Sequence, residues 1–184
     1  MPLYGKKIKK FTLLFLIFIS GSIYSQKPNL GINIGLSYLN ANEYYNFSPL
    51  NLYLNVRQEI LENTNIKFNI GLSFYAEEYG GLDFNLLLEN EFYKKLKIIC
   101  GVNAHQNGGI SHGTSTYTET YSKVFYHYVL GLGINITKHS SFDLSLMIPN
   151  NKEFGYSVDH SNEKSKTNYK YLNYILKLDY EFYF

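Results

Sequence analysis

Residues 172–184 read LNYILKLDYEFYF. Leu172, Tyr174, Leu176, Leu178, Tyr180, Phe182 and Phe184 occupy alternate positions, and Lys177, Asp179 and Glu181 fall between them. Strand side chains point to opposite faces in turn, so this spacing predicts a β-strand with one continuous apolar face. The alternation runs to the last residue.

The same period of two recurs upstream. Residues 30–38, 50–56, 66–76, 82–92, 96–104, 124–136 and 142–148 each carry apolar or Tyr side chains at every second position. Across all eight runs only Asn90 breaks the apolar face, and no stretch after Gln26 shows the spacing of an amphipathic helix. Connections at residues 62–65, 93–95 and 137–141 are short. Those at 41–49, 106–121 and 150–168 are long and rich in Asn, Ser, Thr, Gly and Tyr, and a fourth spans 77–81. Short turns at one end and longer loops at the other predict an all-β fold, an eight-stranded antiparallel up-and-down barrel.

Two barrels share this pattern: a soluble one with apolar side chains inside, and a transmembrane one with them outside. The apolar side chains are too many and too large for an eight-stranded interior. The opposite face carries Gly31, Gly35, Gly71, Gly101, Gly131 and Gly133, which suit a crowded lumen. A closed barrel also pairs every backbone group internally, as lipid demands. The expected fold is therefore a transmembrane β-barrel.

Composition is consistent with this. The 184 residues include 19 Tyr, 13 Phe and no Trp. A mean hydropathy of −0.21 excludes a bundle of membrane helices but not a barrel, whose strands are only half apolar. A single cysteine, Cys100, leaves no intramolecular disulfide and no cysteine-built zinc site. At the N-terminus, Lys6, Lys7, Lys9 and Lys10 precede an apolar run from Phe11 to Ile19, and Gly21, Ser22 and Ser25 follow. This is the layout of a secretory signal peptide over residues 1–25, with the barrel domain spanning 26–184. Its removal changes the formal charge from +2 to −2, so no nucleic-acid partner is expected.

The alternating Leu176, Leu178, Tyr180, Phe182 and Phe184, ending on an aromatic, resemble the last strand of small eight-stranded outer-membrane β-barrel proteins of Gram-negative bacteria. The resemblance implies export to the cell outer membrane, contact with outer-membrane lipid and lipopolysaccharide, and a final strand read by the barrel-assembly machinery. It also implies periplasmic short turns and extracellular long loops. Tyr126, Tyr128, Tyr174, Tyr180, Phe182 and Phe184 would then contribute to aromatic girdles.

Ten charges are expected on the inward face toward the short turns: Arg57, Glu59, Lys67, Glu89, Glu91, Lys97, Asp143, Lys177, Asp179 and Glu181. Burial of such charges requires pairing, so they are read first as an ion-pair network filling the lumen and second as an ion path. Some small outer-membrane barrels modify lipid A with Ser, His and acidic residues near the outer rim. Here His105, His127, Ser111, His112, Asp159, His160 and Ser161 are the candidates for that chemistry. Residues 105–109, His-Gln-Asn-Gly-Gly, resemble the His-x-Ser-Asn segment of the deacylases but lack its Ser. A symmetric hairpin would hold His105 and His127 about four residues, or roughly 13 Å, apart, too far to share a proton. No catalytic, cofactor or metal site is expected. Tyr44, Tyr45, Phe47, Tyr117 and Tyr121 cluster in the longer loops, as lipid-headgroup anchors or as contacts for an unspecified partner. The expected role is non-enzymatic, in envelope structure or surface interaction, with a lipid A-modifying enzyme or a narrow channel as alternatives.

Overall fold

The computed structural model describes residues 28–42, 45–76, 79–108, 111–113, 117–160 and 166–184; residues 1–25, expected to form a signal peptide, lie outside them. Among the described residues there are eleven strands: β1 (Asn29–Ala41), β2 (Tyr45–Leu61), β3 (Thr64–Ala76), β4 (Tyr79–Tyr93), β5 (Leu96–Asn107), β6 (Ser111–Gly113), β7 (Tyr117–Tyr121), β8 (Val124–Asn135), β9 (Ser140–Pro149), β10 (Glu153–Asp159) and β11 (Lys166–Tyr183). Eight of them, β1, β2, β3, β4, β5, β8, β9 and β11, pair antiparallel in chain order. β11 returns to β1, with Ile32 opposite Phe182 and Leu36 opposite Leu178. The barrel is closed and has no free edge of its own.

The turns at one end are tight. Glu62 and Asn63 join β2 to β3, and Lys94 and Lys95 join β4 to β5. Asn63 (φ 59°) and Lys94 (φ 48°) take the left-handed conformation that reverses the chain there. At the opposite end the structure departs from expectation. Residues 106–121 and 150–168, expected as loops, contain β6, β7 and β10. These strands extend the sheet in the order β11-β10-β7-β6. Val158 pairs with Thr118 on one side and Thr167 on the other, so residues rich in Tyr and Thr find backbone partners that a bare loop would lack.

The apolar face points outward. Leu54 and Leu132 are 65% and 61% exposed, whereas the inward Lys67, Lys97 and Glu89 are at most 1% exposed. Glycines let the strands approach each other. A Cβ on Gly71 would sit 2.0 Å from the Leu52 carbonyl oxygen, and one on Gly101 would sit 2.2 Å from that of Leu86.

One outward assignment is corrected. The β1–β11 register slips where Asn40 faces Tyr174 but Ala41 faces Leu172. This bulge reverses the facing of the chain, so Leu172 is buried beside Leu39 and Ile175 instead of facing out. Leu176, Leu178, Tyr180, Phe182 and Phe184 do face outward, below the slip.

Candidate functional site

The lumen is filled in two stages. Near the short turns, β3, β4, β5, β9 and β11 bring five charges together. Lys67 Nζ contacts Glu89, Glu181 and, at 3.1 Å, Asp143. Lys97 Nζ contacts the same three carboxylates, at 3.1 Å to Glu89, 2.9 Å to Asp143 and 3.5 Å to Glu181. Arg57 adds a third cation, with Nε 3.1 Å from Glu89 and Nη2 3.1 Å from Glu91. Three cations thus face the three buried carboxylates. Neutral donors complete Glu181: the Tyr183 hydroxyl at 2.7 Å, Ser141 Oγ at 3.2 Å and Asn33 Nδ2 at 3.2 Å. Each of these positions belongs to the inward phase of its strand.

Glu89, Asp143 and Glu181 each offer an oxygen within 4.8 Å of the others, a spacing open to a metal ion. Both lysines touch all three, so the chain itself supplies the cations at that point.

Nine of the ten expected lumen charges make ion pairs. Lys177 and Asp179 form a separate pair at 3.2 Å, and Lys177 Nζ also stands 3.7 Å from the centre of the Tyr53 ring. The exception is Glu59, which makes no ion pair among the described residues. It lies beside the register slip between Glu59 and Leu61, where β2 runs into its turn and the inward phase ends.

Toward the long-loop end a second cluster replaces charge with hydrogen bonds and aromatic rings. Asp83 Oδ2 accepts from the Tyr53 hydroxyl at 2.6 Å and from Tyr75, while Asp83 Oδ1 lies 2.7 Å from His105 Nδ1. His127 Nδ1 lies 2.8 Å from Asn103 Oδ1, and its Nε2 lies 3.2 Å from the Tyr79 hydroxyl. Phe154 of β10 comes over this cluster, its ring 5.8 Å from Tyr79 and 6.4 Å from Phe125. Between the two clusters a cavity of about 20 Å³ remains, lined by Asn69, Asn85 and Asp179, with room for roughly one water.

Several expectations change here. The histidines are closer than a symmetric hairpin implies: Asn103 faces His127, so His105 is offset from it by two residues, not four. Alternation alone does not distinguish Asp83 from other inward residues. Its position between outward Leu82 and Phe84 marks it as inward, but its pairing with His105 follows from the β4–β5 register. Tyr121, expected on a loop, is buried against Phe154. Phe47 is exposed, as are Tyr126 and Tyr128, while Tyr174 is only half-exposed beside the slip. Tyr44 and Ser161, and the side chains of Tyr45, Ser111, His112 and Tyr117, lie outside what is described.

The closed strand ladder, the apolar exterior and the packed polar interior are now established together. The chain is an eight-stranded transmembrane β-barrel. No family profile matches the sequence, and no curated protein does. Among solved structures, the barrel is similar to the N-terminal β-barrel domain of Pseudomonas aeruginosa OprF. That pair has a TM-score of 0.46 and 12% identity over 86% of this chain and 100% of that one. It is also similar to Neisserial surface protein A, with a TM-score of 0.40 and 9% identity over 85% of this chain and 97% of that one. A third likeness is to Ail, the attachment invasion locus protein of Yersinia pestis, with a TM-score of 0.37 and 12% identity over 84% and 97% of the two chains.

Proposed function

We propose that the protein is a non-enzymatic, non-conducting barrel of the cell outer membrane. It serves envelope structure or surface interaction through the sheet extension and loops at its long-loop end. The observation that carries this reading is the occupied lumen. An eight-stranded barrel has an interior just wide enough for side chains, and here ion pairs block one half and aromatic rings the other. Steady ion flow would require these groups to separate. Asp83 and His105 are fully buried in the interior, away from the lipid-facing surface where an acyl chain would lie, which argues against lipid A chemistry.

Residues 1–25 would direct export, and Leu176, Leu178, Tyr180, Phe182 and Phe184 would serve the barrel-assembly machinery. Outer-membrane lipid and lipopolysaccharide would surround the belt. The long-loop end then faces outward from the cell. In a Cys100→Ser background, Lys152→Cys should react with a membrane-impermeant maleimide on intact cells. Lys138→Cys, at a short turn, should react only after lysis. Equal labelling of both, or recovery of the protein in the soluble fraction, would overturn the reading.

A further inference from the structure

The short-turn mouth of the barrel holds a basin that this reading leaves without a role. Its volume is about 470 Å³, and Arg57, Glu91, Lys94, Lys95, Lys138 and Tyr183 are among the residues around it. Lys94 and Lys95 come from the β4–β5 turn, and Lys138 from the β8–β9 connection. Four cations therefore meet one carboxylate. That carboxylate is already engaged, since Glu91 Oε1 takes Arg57 at 3.1 Å and Asn135 Nδ2 at 2.7 Å. Lys95 Nζ donates to the Ile136 carbonyl at 3.1 Å, and Lys94 Nζ stands 5.2 Å from the centre of the Tyr93 ring. Neither contact neutralises charge. Lys94, Lys95 and Lys138 make no ion pair among the described residues.

We propose that this basin binds a compact multivalent oxyanion of the phosphate class. Three uncompensated ammonium groups on two neighbouring turns supply point charges that a phosphate group can meet from several sides. The Thr137 and Ser140 hydroxyls, 2.9 Å apart at the rim, are available to share their protons with an added acceptor. Among the described residues, Ile136 and Tyr183 are the only large apolar side chains lining the basin, so the walls suit a charged group and not an acyl chain. The basin carries the same charge whichever side of the membrane the mouth faces. The phosphate could belong to a soluble molecule or to a lipid headgroup.

The test is calorimetric titration of pyrophosphate into the folded full chain in zwitterionic detergent, at low and fixed ionic strength so that screening is constant. Binding should saturate at one site. The double variant Lys94→Asn/Lys138→Gln should weaken it by on the order of tenfold, because two nearby charges are lost. Asn is used at residue 94 because it tolerates the left-handed backbone there. The control Lys123→Gln/Lys152→Gln, at the far end, should leave binding unchanged. Unsaturable binding, or equal weakening by both double variants, overturns the proposal. Repeating the titration in phosphatidylglycerol and phosphatidylcholine nanodiscs separates the sources. Competition only from phosphatidylglycerol assigns a lipid phosphate, and equal binding in both assigns a soluble one.

Discussion

Asp83 and His105 stand directly opposite each other on β4 and β5, with Oδ1 and Nδ1 2.7 Å apart and neither side chain exposed. The same carboxylate accepts two tyrosine hydroxyls, so one acidic residue satisfies three buried groups from β2, β3 and β5. Asp83→Ala would leave all three without that acceptor, at about 1–3 kcal/mol for each group left unsatisfied. Urea unfolding of the barrel in bilayers should register a loss above about 3 kcal/mol. Asp83→Asn, which keeps the shape and one acceptor oxygen, should lose less. Wild-type stability in Asp83→Ala would mean that the cluster does not hold the upper barrel together.

Lys67, like Lys97, touches three buried carboxylates in the lower network. Lys67→Met should cost about 3–5 kcal/mol, because Glu89, Asp143 and Glu181 remain buried with less compensation. Lys152→Ala, on an exposed segment, should stay within about 0.5 kcal/mol. Adding Glu181→Gln to Lys67→Met removes the orphaned charge, so the double variant should lose less than the sum of the two single ones. Additivity would show that the two side chains are not coupled.

A filled lumen has an electrical consequence. Wild-type protein in planar bilayers should show conductance that is small or intermittent. A steady conductance of porin size would bring the narrow-channel alternative forward.

Depth on the outer face should govern tolerance to charge. Leu130 is exposed at mid-barrel, facing Cys100 and Leu146 on its neighbours. Leu130→Arg should cost about 2–4 kcal/mol in a bilayer, against about 0–1 for Tyr169→Arg on the extension beyond the belt. Equal costs at the two sites would argue against lipid at mid-barrel.

Gly71 tests the close approach of strands. Its added Cβ would meet the Leu52 backbone, which has no side-chain freedom with which to yield, whereas at Gly108 the nearest atom is 3.2 Å away. Gly71→Ala should therefore reduce folding yield strongly and Gly108→Ala only slightly. Similar yields for the two variants would show that β2 and β3 can move apart.

The barrel, its eight strands and the outward direction of its apolar face were legible in the sequence. The reason is the period of two, which assigns every side chain of a regular strand to one of two faces before any partner is known. It also placed nearly all of the charge network, because Lys67, Glu89, Lys97, Asp143 and Glu181 sit on uninterrupted inward phases. Tertiary structure alone decided where that phase breaks. The slip opposite Asn40 and Ala41 turns Leu172 inward, and the slip beside Glu59 takes that residue out of the network. It alone decided the register that brings Asp83 to His105 and His127 within two residues of it. Register depends on pairing between strands distant in sequence, which local alternation does not encode. The sheet extension has the same origin: β10 pairs with the upper part of β11, and β7 pairs with β10.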